Sequence, residues 1–314
     1  MRKPFRAGGV AVGALAVALT AGAFAFAPAS PAATTATSSG VPASIRPGTP
    51  MKAVGTGSAA AASTINAVNS VTSVRSSNWA GYAASFRTTT FRFVSAQFTM
   101  PSVDCTGVTA ASGAWSAHWV GLDGYRANSF TVEQIGVIAR CADSTTAVYQ
   151  AFWEMFPNPA NMPLSITVTP GDKISMSVFY NRSTHKFSLT FSDTTRHERF
   201  TRTRACPALA TCRRNSAEAI SEAPAEVNGS TVTTLPLANF QTASFANVSI
   251  TNTSGTHRGG LRSSFWNTFK ITQVSNGHNT TVGGDLIPLG TALDIPTALA
   301  LKRSFSDHWQ AANG

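Results

Sequence analysis

Few residues in this chain have the type and spacing for catalysis, and most familiar arrangements are missing. There is no GxSxG, no HExxH, no Asp-Thr/Ser-Gly pair and no glycine-rich phosphate loop. The six histidines, at 118, 185, 197, 257, 278 and 308, are scattered, mostly among turn-like or polar neighbours. Acid–base work is left to carboxylates. Glu154 stands in the alternation Gln150, Phe152, Glu154, which puts two polar groups on one strand face. Glu218 and Glu222 differ by four and would share a face of one strand. Gln134 lies in an apolar–polar alternation and, alone, reads as a solvent-facing strand position. Glu222 beside Ala223-Pro224, alone, reads as a solvated loop carboxylate. One chemistry open to these residues is glycoside hydrolysis or carbohydrate binding. Glu154 and Glu222 would then be acid and nucleophile, and Trp79 and Trp119 sugar platforms. A secreted sandwich with its tryptophans in the core is the blander reading.

The elements that must carry these residues are strands. The stretch 118–136 reads as two extended segments, 118–122 and 129–135, joined across a turn at Asp123-Gly124. Alternation would put Trp119, Gly121 and Asp123 on one face and Val132 and Gln134 on another. Residues 93–100 alternate, and 148–156 are aromatic and extended, closed by Pro157. Residues 164–169 and 173–180 flank Pro170-Gly171-Asp172, a hairpin signal. Phe187, Leu189 and Phe191 mark a further strand, and so do 245–251, 269–274 and 299–309. No convincing amphipathic helix exceeds two turns. Many short strands with regular turn signals predict an all-β fold, an antiparallel β-sandwich.

A chain of 314 residues suits one large β domain or two ordinary ones. Arg2, Lys3 and Arg6 precede an apolar run that ends in Ala27-Pro-Ala29, which predicts a secretory signal peptide over 1–29. The run is broken by Gly13 and Gly22 and has no basic stop-transfer flank, which argues against a membrane anchor. Residues 30–75 contain no carboxylate and are mostly Ala, Ser, Thr, Pro and Gly, the composition of a low-complexity linker or pro-segment. Residues 76–314 then form a single domain. It holds all 14 acidic residues and 18 of the 24 basic ones, so the chain's net charge of +10 falls to +4 there. The nucleic-acid reading suggested by the charge fades with it, and the basic residues at 196–204 and 213–214 read as a solvated loop edge. The four cysteines also fall in this part, and an even number in a secreted chain predicts two disulfides. Of three possible pairings, Cys206–Cys212 would close a short loop and Cys105–Cys141 would tie the ends of the central segment. A zinc site would want a CxxC or a histidine pair at ligand spacing, and neither is present.

Nine short segments, in order, resemble one family. They are Ser77-Asn-Trp-Ala-Gly81, Val94-Ser-Ala with Met100-Pro101, Trp119-Val-Gly-Leu-Asp-Gly124, Gln134-Ile-Gly136 and Ala151-Phe-Trp-Glu-Met-Phe-Pro157. Pro170-Gly-Asp-Lys-Ile-Ser-Met-Ser-Val178, Cys212-Arg-Arg-Asn-Ser-Ala-Glu-Ala-Ile-Ser-Glu222, Leu235-Pro-Leu-Ala-Asn-Phe240 and Ile271-Thr-Gln-Val274 complete the set. They resemble the glutamic peptidases, the G1 or eqolisin family of secreted acid endopeptidases, over roughly 76–310.

The resemblance implies a concanavalin A-like, jelly-roll-type sandwich with Gln134 and Glu222 as catalytic residues; Glu218 is the alternative acid. It implies a substrate cleft built from Trp79, Gly81, Trp119, Asp123, Gly124, Phe152 and Glu154. The implied enzyme is a secreted, extracellular monomer that acts on polypeptides, with no metal or cofactor and no nucleic-acid partner. Phe152 stands where the family usually has Trp, Met155 and Phe156 replace other aromatics, and 221–224 are less bulky. These departures bear on subsite preference more than on the reaction.

Overall fold

The structure, a computed structural model, describes residues 42, 44–54, 71–109, 113–163, 165–275, 280–282, 285–287, 292–297 and 303–311. In chain order its strands are β1 (Ile45–Arg46), β2 (Val71–Ser76), β3 (Trp79–Ser85), β4 (Phe91–Thr99), β5 (Ala114–Leu122), β6 (Val132–Cys141) and β7 (Ala147–Phe156). There follow β8 (Lys173–Asn181), β9 (Lys186–Asp193), β10 (Glu198–Ala205), β11 (Ser216–Glu222), β12 (Ala225–Asn228), β13 (Thr231–Thr234) and β14 (Thr242–Asn252). The last are β15 (Arg258–Gly259), β16 (Asn267–Val274), β17 (Thr280–Val282), β18 (Asp285–Ile287), β19 (Ala292–Pro296) and β20 (Phe305–Trp309). No helix occurs among the described residues.

Two layers are joined through β19 and β20. One runs β16-β3-β11-β5-β6-β7, and the other runs β10-β9-β8-β4-β14. Pairing is antiparallel throughout both, with β2 added parallel to β16. Between the layers Val120, Leu122, Ile135, Val137, Ala217 and Ala219 meet Phe91, Val94, Phe98, Met176, Leu189 and Phe245. A second cluster lies on the outer face of the first layer: Trp79, Trp119, Ile138, Phe152, Ile220 and Phe269. Central strands β5 and β11 are therefore buried on both faces, so burial along them does not alternate.

The expected strands over 93–100, 148–156 and 173–180 are found as β4, β7 and β8. Residues 165–169 form no strand, so Pro170-Gly171-Asp172 is not a hairpin turn. Instead Asp172 Oδ2 accepts from Thr169 N at 2.7 Å and turns the chain into β8. Of the basic residues, Arg199, Arg202 and Arg204 stand on the edge strand β10 and not on a loop edge, whereas Arg196 lies in the turn before it and Arg213 and Arg214 lie in a loop, as expected. Arg196 pairs with Asp172 at 2.9 Å, and Arg204 stacks on Trp153. Charged side chains on such an edge discourage pairing with another chain. Cys105–Cys141 and Cys206–Cys212 are bonded, as expected.

Residues 45–54, within the stretch read as linker or pro-segment, lie across the outer face of the first layer. β1 pairs with β12, Met51 N donates to Gly124 O at 3.0 Å, and Val54 N donates to Arg75 O at 3.1 Å. A segment with little apolar surface cannot fold by itself, but here the sandwich supplies the surface. The sheet also reaches upstream of residue 76, because β2 starts at Val71.

Candidate active site

The site follows from register, because directly opposed residues on paired strands point to the same face. Glu222 on β11 faces Trp79 on β3 and Ala117 on β5. One row along, Gly81, Ile220, Trp119, Gly136 and Phe152 stand side by side. The next row holds Ala83, Glu218, Gly121, Gln134 and Glu154. The pairing Gly121–Gln134 settles one expectation differently: Gln134 shares its face with Trp119, not the opposite one. It also brings Gln134 and Glu222, far apart in sequence, onto the common face of one sheet.

Glycines make this surface possible. A Cβ on Gly136 would press on the His118 carbonyl and the Trp119 side chain, and one on Gly121 would meet the Trp119 ring at 2.8 Å. With neither present, the Trp119 indole lies flat enough to reach Glu222. Its Nε1 donates to Glu222 Oε2 at 2.9 Å. Trp79 packs edge-on against it, ring centroids 5.0 Å apart. Asn78 Nδ2 and Thr49 Oγ1 donate to Glu222 Oε1 at 3.4 and 3.2 Å. None of these donors reaches Glu218. Gln134 Nε2 donates to Glu154 Oε2 at 2.8 Å.

Burial sets the electrostatics. Glu222 and Glu154 have no solvent exposure. Loss of hydration raises the Glu222 pKa well above the usual carboxylate range, and the nearby Glu154 charge adds to this. The bonds from Trp119, Thr49 and Asn78 oppose the rise. Glu154 is pushed up to about 8 by burial, against the pull of Arg46 and Gln134.

Asp123 and Gly124 sit at the turn after β5, both with positive φ. The Asp123 carboxylate is directed away from the rows: it accepts from Arg214 N at 2.6 Å and Asn215 N at 2.9 Å. It holds the chain entering β11, and so Glu222, in place. Gly81, at φ 120°, lets β3 approach the Ala219 carbonyl. Two contributors escaped the sequence reading. Asn78 adjoins Trp79 in a quoted segment, so its signal was present. Thr49 lies in low-complexity sequence, where nothing marks it.

Solved structures share this fold. A crystal structure of scytalido-glutamic peptidase with a transition state analog inhibitor matches with a TM-score of 0.58 at 23% identity, covering 74% of this chain and 98% of that one. SCP-B, an eqolisin in complex with the tripeptide Ala-Ile-His, matches with a TM-score of 0.57 at 22% identity and the same coverage. At such identities these matches speak for the fold. No curated protein sequence matches. The all-β sandwich of this shape, taken with the family profile that the chain matches, makes it a glutamic-type peptidase, a hydrolase of peptide bonds. The chain belongs to the Peptidase A4 family, whose profile matches residues 77–285.

Proposed function

We propose that Glu222 and Gln134 form the catalytic dyad of a secreted acid endopeptidase that acts on polypeptides as a monomer. The observation that carries this is the shared face of β6 and β11. It sets a carboxylate and an amide on one surface, each held by its own partner. Glu222 takes a proton from a water molecule as that water adds to the scissile carbonyl. The carbonyl oxygen becomes an oxyanion. One Gln134 N–H is tied to Glu154, which aims the other into the cleft as the oxyanion donor. Protonated Glu222 then gives its proton to the departing amine as the C–N bond breaks. A raised pKa makes the ionised Glu222 the stronger base for the first step, and an amide partner does not titrate in acid. Trp79 and Phe152 form the apolar walls. Glu154 is engaged in orienting Gln134, which does not suit the free carboxyl that a glycosidase reading needs. The disulfides and the signal-like residues 1–29, which lie outside the described residues, support secretion.

Steady-state kinetics on a peptide substrate at about pH 4, near the ordinary carboxylate pKa, tests the dyad. Glu222→Gln loses activity in a folded protein. Gln134→Ala lowers kcat by roughly 100- to 1000-fold with KM nearly unchanged, because its donor acts only near the transition state. A folded Gln134→Ala enzyme with near-normal kcat would refute the dyad.

A further inference from the structure

Behind the candidate site, on the inner face of the first layer, lies a row of three buried polar side chains that the proposed reaction does not use. His118 on β5 and Ser221 on β11 are directly opposed, and Asp307 stands on β20, one of the two strands that join the layers. His118 Nδ1 and Ser221 Oγ are 3.0 Å apart, and Ser221 Oγ donates to Asp307 Oδ2 at 2.7 Å. None of the three has any solvent exposure. Since Ser221 has one hydroxyl hydrogen and gives it to Asp307, His118 donates from Nδ1 and its Nε2 is bare. The imidazole stacks on Phe98 with centroids 5.1 Å apart and stands at right angles to Phe240 at 4.8 Å. That apolar box offers Nε2 no partner among the described residues, and Asp307 Oδ1 has none either. Because a hydroxyl both donates and accepts, both bonds persist when Asp307 is protonated, with the direction of donation reversed along the row. His118 and Asp307 lie outside the nine family segments.

Buried polar groups with unmet hydrogen-bonding capacity destabilise a core relative to apolar side chains of similar size. What they add is direction, since a hydrogen bond fixes distance and angle where apolar contacts let strands slide. Such fixing matters one residue further along each strand. Successive residues point to opposite faces, so Trp119 follows His118, and Glu222 follows Ser221, on the cleft side. There the indole bond at 2.9 Å joins them. Glu222 is also the last residue of β11, and the chain leaves the strand at Ala223-Pro224. Strand ends are where ladder bonds open first, so this end of β11 has most to gain from a side-chain lock. We propose that His118, Ser221 and Asp307 are positioning residues for the peptidase reaction: from the inner face they pin the end of β11 to β5 and β20, and so hold the Trp119–Glu222 contact on the outer face. This rests on the reading of Glu222 as the base.

The test compares the wild-type chain with Ser221→Ala, with Asp307→Asn, which keeps a side-chain acceptor, and with an apolar triple variant, His118→Leu, Ser221→Ala and Asp307→Leu. In NMR spectra of indole-labelled protein, the Trp119 Nε1–H resonance, assigned through Trp119→Phe, reports the bond to Glu222. Peptide hydrolysis at about pH 4 gives kcat and KM, and urea unfolding gives stability. Ser221→Ala moves the resonance toward that of an unbonded indole. It lowers kcat roughly ten- to a hundredfold and leaves KM within about twofold of wild type. Asp307→Asn keeps both the resonance and kcat near wild type. The triple variant unfolds at the wild-type urea midpoint or above, because apolar replacement of a whole buried polar network is neutral or stabilising. It nevertheless shows the moved resonance and the low kcat, and it decides the question if Ser221→Ala does not fold. A folded triple variant with an unmoved resonance would overturn the proposal. A resonance that moves while kcat stays at the wild-type value would leave the lock in place and instead remove Glu222 as the base.

Discussion

At the scale of single residues, the Glu222 carboxylate is balanced between two opposing influences. Burial and the Glu154 charge favour its protonated form, and the Trp119 indole favours the ionised one. Trp119→Phe keeps an aromatic ring but deletes the N–H, a bond to a charged group typically worth about 1.5–3 kcal/mol. The Glu222 pKa then rises. Under the proposed dyad the base must be ionised to take the water's proton, so the acid limb of the kcat/KM profile moves to higher pH. A pH–rate profile on processed enzyme checks this, and an unmoved limb would mean that the indole does not tune the base. The role of Asn78 was half legible, since its position beside Trp79 is in the sequence but its reach to Glu222 is not.

At the scale of elements, β5, β6 and β11 form a platform whose flatness depends on missing side chains. Gly136 lies opposite Trp119, with the His118 carbonyl behind it. Gly136→Ala forces the β5–β6 pair apart or tips the indole, and overpacking of this kind costs about 1–3 kcal/mol. Urea unfolding should show that loss, together with a lower kcat, since Trp119 holds Glu222. An unchanged midpoint would show that the pair yields without strain. The strands themselves were legible in the alternation of apolar residues. Their register was not, because a shift by one residue reverses every face and the sequence of one strand does not name its partner. For the same reason Gln134, read by itself, looks like a solvent-facing position.

For the whole molecule, the buried acids set a pH dependence. Glu133, Glu218 and Glu222 have pKa values well above the ordinary range, Asp123 is raised, Asp307 is raised to about 7 and Glu154 to about 8, in each case chiefly by burial. The folded chain therefore keeps protons that the unfolded chain releases. The stability this confers is complete below about pH 4 and is lost as pH rises toward 7–8, at about 1.4 kcal/mol per pH unit for each such group. His118, buried and lowered to about 3, works in the opposite sense, since its contribution is lost as pH falls below about 6.5. One histidine against several carboxylates leaves acid as the stable side. Calorimetry on the Glu222→Gln chain should give the highest Tm near pH 4 and a fall of more than about 10 °C by pH 8. A Tm that stays level or climbs over that range would contradict the assignment.

Local pattern and order of residues determined a good deal here. Strand-forming alternation, paired cysteines and nine ordered segments specify an all-β sandwich of the glutamic peptidase kind. They also single out Gln134 and Glu222, because these are properties of short stretches. Only the tertiary structure decided that Asp123 is turned to the backbone of Arg214 and Asn215, that Gln134 donates to Glu154, and that Gly48 and Thr49 lie against Gln134 and Glu222. Each of those relations joins atoms far apart along the chain. A segment such as 45–54, which has no core of its own, gains its place from the shape and hydrogen-bonding groups of the surface it docks on. That surface exists only when β3, β5, β6 and β11 stand side by side.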